Sequence, residues 1–276
     1  MITKNRYFLC RHGQSEANVE GVISSDPDHA VDYHGLSPLG VEQAEAAARN
    51  FFEMVLGLET RTPVEIYTSD FKRARDTAAI IGGRLKVGLK IKDHEHPYVA
   101  EGNEVVFKIE ERLRERNFGD LEASSNENYQ KVWDGDAIDP KHTKFNVESV
   151  ASVHKRTSAI VKELEAAAND NKDHKETIVL LVAHGDTLQI LQTYFANLPC
   201  EIHRSLEHLN TAELREMVPG KVGIPNEEGE EGEEEEDEEE PEAGKNGEGE
   251  DNAAEEDSKL SGEPEEGEEQ VPGTEE

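Results

Sequence analysis

Apolar positions over the first 220 residues alternate between short continuous runs and helical spacing. Residues 6–10 (Arg-Tyr-Phe-Leu-Cys) form a short apolar run suited to a buried strand. Ser37 and Pro38 then read as an N-cap and first helical position: a serine hydroxyl serves a free helix N–H, and proline has no N–H to leave unpaired. Val41, Ala44, Ala48, Phe51, Phe52 and Val55 follow at helical spacing. Residues 64–68 predict a second strand. The next helix, capped by Ser69, carries Ala74, Thr77, Ala78 and Ile81, and 89–92 is a weaker strand. A long helix is predicted from Asn146 or Ser149, with Val150, Val153, Ile160, Val161 and Leu164 on one side. Residues 177–183 (Thr-Ile-Val-Leu-Leu-Val-Ala) are almost wholly apolar, as in a central parallel strand covered on both faces. A helix over 186–195 and a last strand over 212–218 complete the alternation. It predicts an α/β fold: a three-layer α/β/α sandwich with a mostly parallel central sheet.

Near residue 220 the pattern stops. Of the net charge of −33, residues 221–276 contribute 26 acidic and 3 basic side chains, a net of −23. Almost no large apolar side chain interrupts them, so this segment cannot offset its ordering entropy and is expected to be a disordered acidic tail. The division is therefore a catalytic-type domain over 1–220 and a tail over 221–276. A chain of this sign lacks the clustered Lys and Arg that a nucleic-acid backbone requires. No segment has the roughly 20 apolar residues of a spanning helix. Cys10 and Cys200 do not make a disulfide framework, which points to reduced thiols and a cytoplasmic protein.

Ligands of parallel sheets sit beyond the carboxyl ends of the strands. The first strand ends in Arg11-His12-Gly13, the second in Thr68-Ser69 with Arg73 one turn on, and the strand at 177–183 in His184-Gly185-Asp186. Two histidines and two arginines thus meet at one sheet edge. Arginine offers planar, permanently charged donors for phosphate oxygens, and a helix starting at Ser69 would add its positive end. Glycine after each histidine permits close approach. The chemistry is that of an anion pocket suited to a phosphoryl dianion.

At these positions the sequence resembles the histidine phosphatase superfamily, which includes the phosphoglycerate mutases. The likeness runs in order through Arg11-His12-Gly13-Gln14-Ser15-Glu16-Ala17-Asn18, Leu36-Ser37-Pro38-Leu39-Gly40, Thr68-Ser69-Asp70-Phe71-Lys72-Arg73-Ala74, Leu113-Arg114-Glu115-Arg116-Asn117-Phe118-Gly119, Glu148-Ser149 and Ala183-His184-Gly185-Asp186, covering roughly residues 5–215. The resemblance implies a phosphoglycerate mutase-like fold and a phosphomonoester hydrolase working through a phosphohistidine on a small phosphorylated metabolite, with no cofactor and no metal. It implies His12 as nucleophile, Glu115 as the acid that protonates the leaving oxygen, and Arg11, Arg73 and His184 as phosphate ligands. Gly13, Asn18, Ser24, Arg116 and Gly185 are further expected substrate contacts. Arg75 is expected on the surface or in an ion pair, and Cys10 buried and unreactive beneath the site. Trp133 either lines a lid or anchors its loop. His94-Glu95-His96 has no companion ligand motif to make a metal site.

Two other readings stay open. A phosphoglycerate mutase-type phosphotransferase needs a basic insertion for a second phosphate, but 120–146 is rich in Asp, Glu, Asn and Ser, with Lys131, Lys141, Lys144 and His142 as offset. A catalytically inactive phosphate-binding or interaction protein would have lost a charged site residue, and none is missing. The acidic tail suits a basic protein partner or, more simply, a solvated polyanion.

Overall fold

The computed structural model describes residues 3–56, 62–85, 98–100 and 103–221. These form a six-stranded sheet of order β3-β4-β2-β5-β1-β6. Four strands run parallel at its centre: β1 (Arg6–Arg11), β2 (Val64–Thr68), β4 (Asn103–Ile109) and β5 (Ile178–Ala183). β3 (Tyr98–Ala100) and β6 (Leu214–Met217) close the two edges antiparallel. The α/β sandwich with a mostly parallel sheet is therefore the fold of the chain.

Strand alternation divides the core between two faces. Phe8, Cys10, Ile66, Leu180 and Val182 point to one face, against Ala47, Ala48, Phe51 and Val55 of α3 (Pro38–Leu56) and Ala74, Ala78 and Ile81 of α4 (Lys72–Arg84). Tyr7, Leu9, Tyr67, Val179 and Leu181 point to the other, against Ile160 and Val161 of α6 (Val150–Asp170) and Leu188, Leu191 and Phe195 of α7 (Gly185–Ala196). β5 is buried at all six positions, as its unbroken apolar run requires.

Most predicted elements are present. Ser37 caps α3, its hydroxyl accepting from Gly40 N at 3.0 Å, and Ser149 rather than Asn146 caps α6 by accepting from Ser152 N. Val41 differs from expectation and is exposed, while Gly40 in the same turn packs on the backbone of Gln14. Ser69 also differs. α4 begins three residues later, at Lys72, and the Ser69 hydroxyl accepts from Phe71 N inside the connecting turn. The strand expected at 89–92, His94-Glu95-His96 and, apart from Lys221, the acidic tail lie outside the described residues. Elements without a predicted counterpart are β3, β4, α1 (Glu16–Glu20), α2 (Pro27–Ala30) and α5 (Tyr129–Asp136).

Candidate active site

Parallel pairing of β1, β5 and β2 brings His12, His184 and Ser69 level at the carboxyl edge. His12 N donates to Ala183 O and Ser69 N to Val182 O, both at 3.0 Å. The His12 and His184 ring centroids are 5.1 Å apart. Arg73 reaches in from α4, and its Nε meets His12 Nε2 at 3.2 Å.

The loop after β1 is pressed onto the start of α3. A Cβ on Gly13 would fall inside van der Waals contact of Gly40 O, so no larger residue fits without moving the loop. Gly13 N donates to Thr77 Oγ1 at 3.1 Å, and Thr77 Oγ1 donates to Arg73 O at 2.8 Å. The histidine loop and the arginine helix are thus fastened through one hydroxyl.

Hydrogen bonds set the form of each ring. His12 Nδ1 lies 2.7 Å from Gly13 O. A carbonyl only accepts, so Nδ1 carries the hydrogen and Nε2 keeps its lone pair. Burial, then Arg73 and Arg11, hold the imidazole well below its ordinary pKa, which keeps it neutral and nucleophilic. His184 Nε2 lies 2.9 Å from Ser69 Oγ. Ser69 Oγ accepts from Phe71 N, and among the described residues its buried hydrogen has no acceptor other than Nε2, so the His184 hydrogen is assigned to Nδ1. That Nδ1 is buried and has no protein partner.

Arg11 donates from Nη1 to His208 Nε2 at 2.9 Å and to Leu209 O at 3.0 Å, while its buried Nε is unpartnered. Burial and then Arg11 bring His208 down to about 4, so it is a neutral acceptor. Gly185 gives that ring its room: a Cβ there would lie 2.9 Å from His208 Cε1. Burial lowers Arg73 to about 10, still cationic at neutral pH. No carboxylate forms an ion pair with Arg11 or Arg73 among the described residues.

Glu115 borders the same space. Its Oε1 accepts from Arg116 N, Thr187 N and Thr187 Oγ1 at 2.9–3.1 Å. Burial, then the neighbouring Asp186 charge, raise its pKa against those bonds. Burial, with Glu115 nearby, likewise raises the Tyr129 phenol. Tyr129 stacks on Trp133 at 5.3 Å, and Arg204 lies 3.7 Å over the Trp133 ring, so Trp133 anchors α5.

Other expected contacts have different employment. Arg116 is not presented to the pocket: its side chain is 0 % exposed, donates twice to Asp136 at 2.7 and 2.8 Å, and reaches Asp186 and Glu148 O. Asn18 Oδ1 accepts from Ser15 N and Oγ, closing the capping box of α1. Ser24 is buried and holds Arg73 through both its hydroxyl and its carbonyl. Arg75 is neither free nor in an ion pair; it donates to Val31 O at 2.8 Å. Cys10 is fully buried, and burial raises its thiol pKa, which leaves it inert. Ser69 and His208 are the neighbours that sequence reasoning missed.

The sequence matches the profile of the histidine phosphatase superfamily (branch 1) over residues 7–96 and 97–224. It is 31% identical over 203 residues to the glucosyl-3-phosphoglycerate phosphatase of Mycobacterium tuberculosis, covering 70% of this chain and 76% of that one. Identity to the same enzyme of Mycolicibacterium vanbaalenii is 29% over 205 residues, 71% of this chain and 76% of the relative. The structure of mycobacterial glucosyl-3-phosphoglycerate phosphatase complexed with VO3 superposes with a TM-score of 0.58 at 26% identity, covering 77% of this chain and 90% of that one.

Proposed function

Because this chain belongs to the histidine phosphatase superfamily and is a phosphoric monoester hydrolase, we propose that His12 is its nucleophile and Glu115 its acid. Nε2 of His12 forms a bond to phosphorus as the phosphorus–oxygen bond to the leaving group breaks. Glu115 delivers its proton to that oxygen. Water then attacks the phosphohistidine, Glu115 takes a proton back, and the electron pair of the broken P–N bond returns to Nε2 as inorganic phosphate leaves. Arg11, Arg73 and His184 Nδ1 hold the equatorial oxygens, where fixed donors stabilise the charge of the transfer. The observation that carries this assignment is the neutral His12 with Nε2 free of hydrogen, set among unpartnered donors on Arg11 and His184.

The substrate is a small phosphorylated metabolite; glucosyl-3-phosphoglycerate, named for the relatives, is the first candidate. A mutase reading gains no support from 120–146. Tyr129 and Trp133 stack there, and Asp136 is already paired with Arg116. The free thiols of Cys10 and Cys200 support a reducing, cytoplasmic setting. We infer that the acidic tail over 221–276, with its net charge of −23, competes weakly with phosphate for the cationic pocket or meets a basic protein partner. Hydrolysis of p-nitrophenyl phosphate in EDTA, by wild type and His12→Ala, tests the central assignment. Turnover that vanishes in the variant is expected; equal turnover in both would remove His12 as nucleophile.

A further inference from the structure

A hydrogen-bonded chain runs from the segment between β1 and α3, through Arg73 of α4, to the nucleophile. Arg73 meets His12 Nε2 through Nε at 3.2 Å, and its Nη1 and Nη2 point away, to Ser24 Oγ at 3.4 Å and Ser24 O at 2.8 Å. Ser24 Oγ in turn lies 2.9 Å from His34 Nδ1. The direction of each link follows from chemistry. Arginine only donates, so Ser24 Oγ accepts from it. The Glu20 carboxylate, 3.6 Å from His34 Nε2, places the histidine hydrogen on that nitrogen, which leaves Nδ1 to accept the serine hydrogen.

His34 adopts φ +53°, a left-handed conformation that glycine or asparagine takes more easily than histidine. Its ring is held edge-on to His29 at 4.8 Å, and His29 stacks on Tyr33 at 4.6 Å. A backbone cost is accepted at the one residue whose ring reaches Ser24.

We propose that His34 is a positioning residue, which acts through Ser24 to fix the Arg73 guanidinium against the nucleophilic nitrogen of His12. This rests on the assignment of His12 above. Asparagine at this position places an acceptor oxygen where Nδ1 stands and tolerates the backbone. Glycine tolerates the backbone and offers no acceptor. Glutamine carries its oxygen one atom too far.

The test measures kcat and KM for p-nitrophenyl phosphate in the full-length protein and its variants. His34→Gly is expected to lower kcat about tenfold, the scale of one hydrogen bond in a transition state, with KM changed less than about twofold. His34→Asn is expected to restore most of the loss and His34→Gln little of it. Ser24→Ala combined with His34→Gly is expected to be no slower than Ser24→Ala alone, because the chain is already cut. A wild-type kcat in His34→Gly, equal losses in the Gly and Asn variants, or losses that multiply in the double variant would each overturn the proposal. His12→Ala in the same assay separates the two ideas. If it matches wild type, the assignment of His12 falls and His34 with it; if it is inactive while His34→Gly is unimpaired, only the role of His34 falls.

Discussion

Glu115 and Arg116 are neighbours in sequence and belong to opposite kinds of charged site. Glu115 faces Arg11, Arg73 and two histidines, where cations stand without paired carboxylates and two buried nitrogens lack partners. Arg116 points into a cluster with Asp136, Asp186, His203 and His142, where one guanidinium answers two carboxylates and no positive charge is left for an anion. Both lie in the same protein interior, so burial alone does not mark a binding site. What separates them is the sign of what is left over. The first set leaves positive charge and buried nitrogens on Arg11 and His184 facing an anion's place. In the second, the unpartnered Asp186 Oδ1 and His203 Nε2 face each other at 3.7 Å beside a guanidinium already spent on carboxylates.

That contrast predicts which property each set of substitutions damages. The largest effects on rate belong to the first set. Arg11→Ala, Arg73→Ala and His184→Ala are each expected to lower kcat/KM about 10²–10⁴-fold with little change in stability. A loss of stability in step with activity would move these residues into the structural class. Asp136→Asn should do the reverse and destabilise the protein by about 3–5 kcal/mol in urea unfolding, since it leaves Arg116 buried with less compensation. Burial alone would raise the Asp136 pKa, but Arg116 outweighs it and holds it below the ordinary aspartate value. A depressed folded-state pKa means the contribution is present above the unfolded pKa and fades as pH falls through the folded one. The gap in stability between wild type and variant should therefore narrow in acid, and a constant gap would argue that Asp136 is protonated throughout.

Glu115→Gln tests the border between the sets. An acid with a raised pKa loses its proton, and the enzyme its rate, as pH climbs through that value. The variant should lose this alkaline limb and be impaired most with alkyl phosphates, whose leaving oxygen needs protonation. Equal losses on alkyl and nitrophenyl phosphates would remove Glu115 from the acid role. The smallest effect is expected from deleting 221–276, a lower apparent KM confined to low ionic strength, where the Debye length is long. An unchanged KM in salt-free buffer would exclude competition by the tail.

The parts legible in sequence are those encoded by contiguous residues. β5 could be read because six neighbouring residues are all apolar, and its end located His184 without knowledge of the sheet. The resemblance located Glu115 and Arg73. Arg116 was misjudged because its acceptors are 20 and 70 residues away, and nothing local shows that it is spent on them. His208 was silent for the same reason, lying 197 positions from the arginine it holds. Ser69 read as a helix cap because serine before a helix usually is one; its hydroxyl was taken by His184 across the sheet edge. β4 escaped because Glu104 and Lys108 flank Val-Val-Phe and leave a continuous apolar run of only three residues.

The unpartnered nitrogens of Arg11 and His184 have a thermodynamic consequence beyond turnover. Each is a donor removed from bulk water without a protein acceptor, so the empty pocket weakens the native state, and any oxyanion that fits restores what is missing. Folding and anion occupancy are then linked: an anion at 100 times its dissociation constant adds about 2.7 kcal/mol to native stability. The melting temperature of this protein is for that reason a property of its buffer as much as of its sequence, and phosphate released by its own turnover would protect the fold that made it.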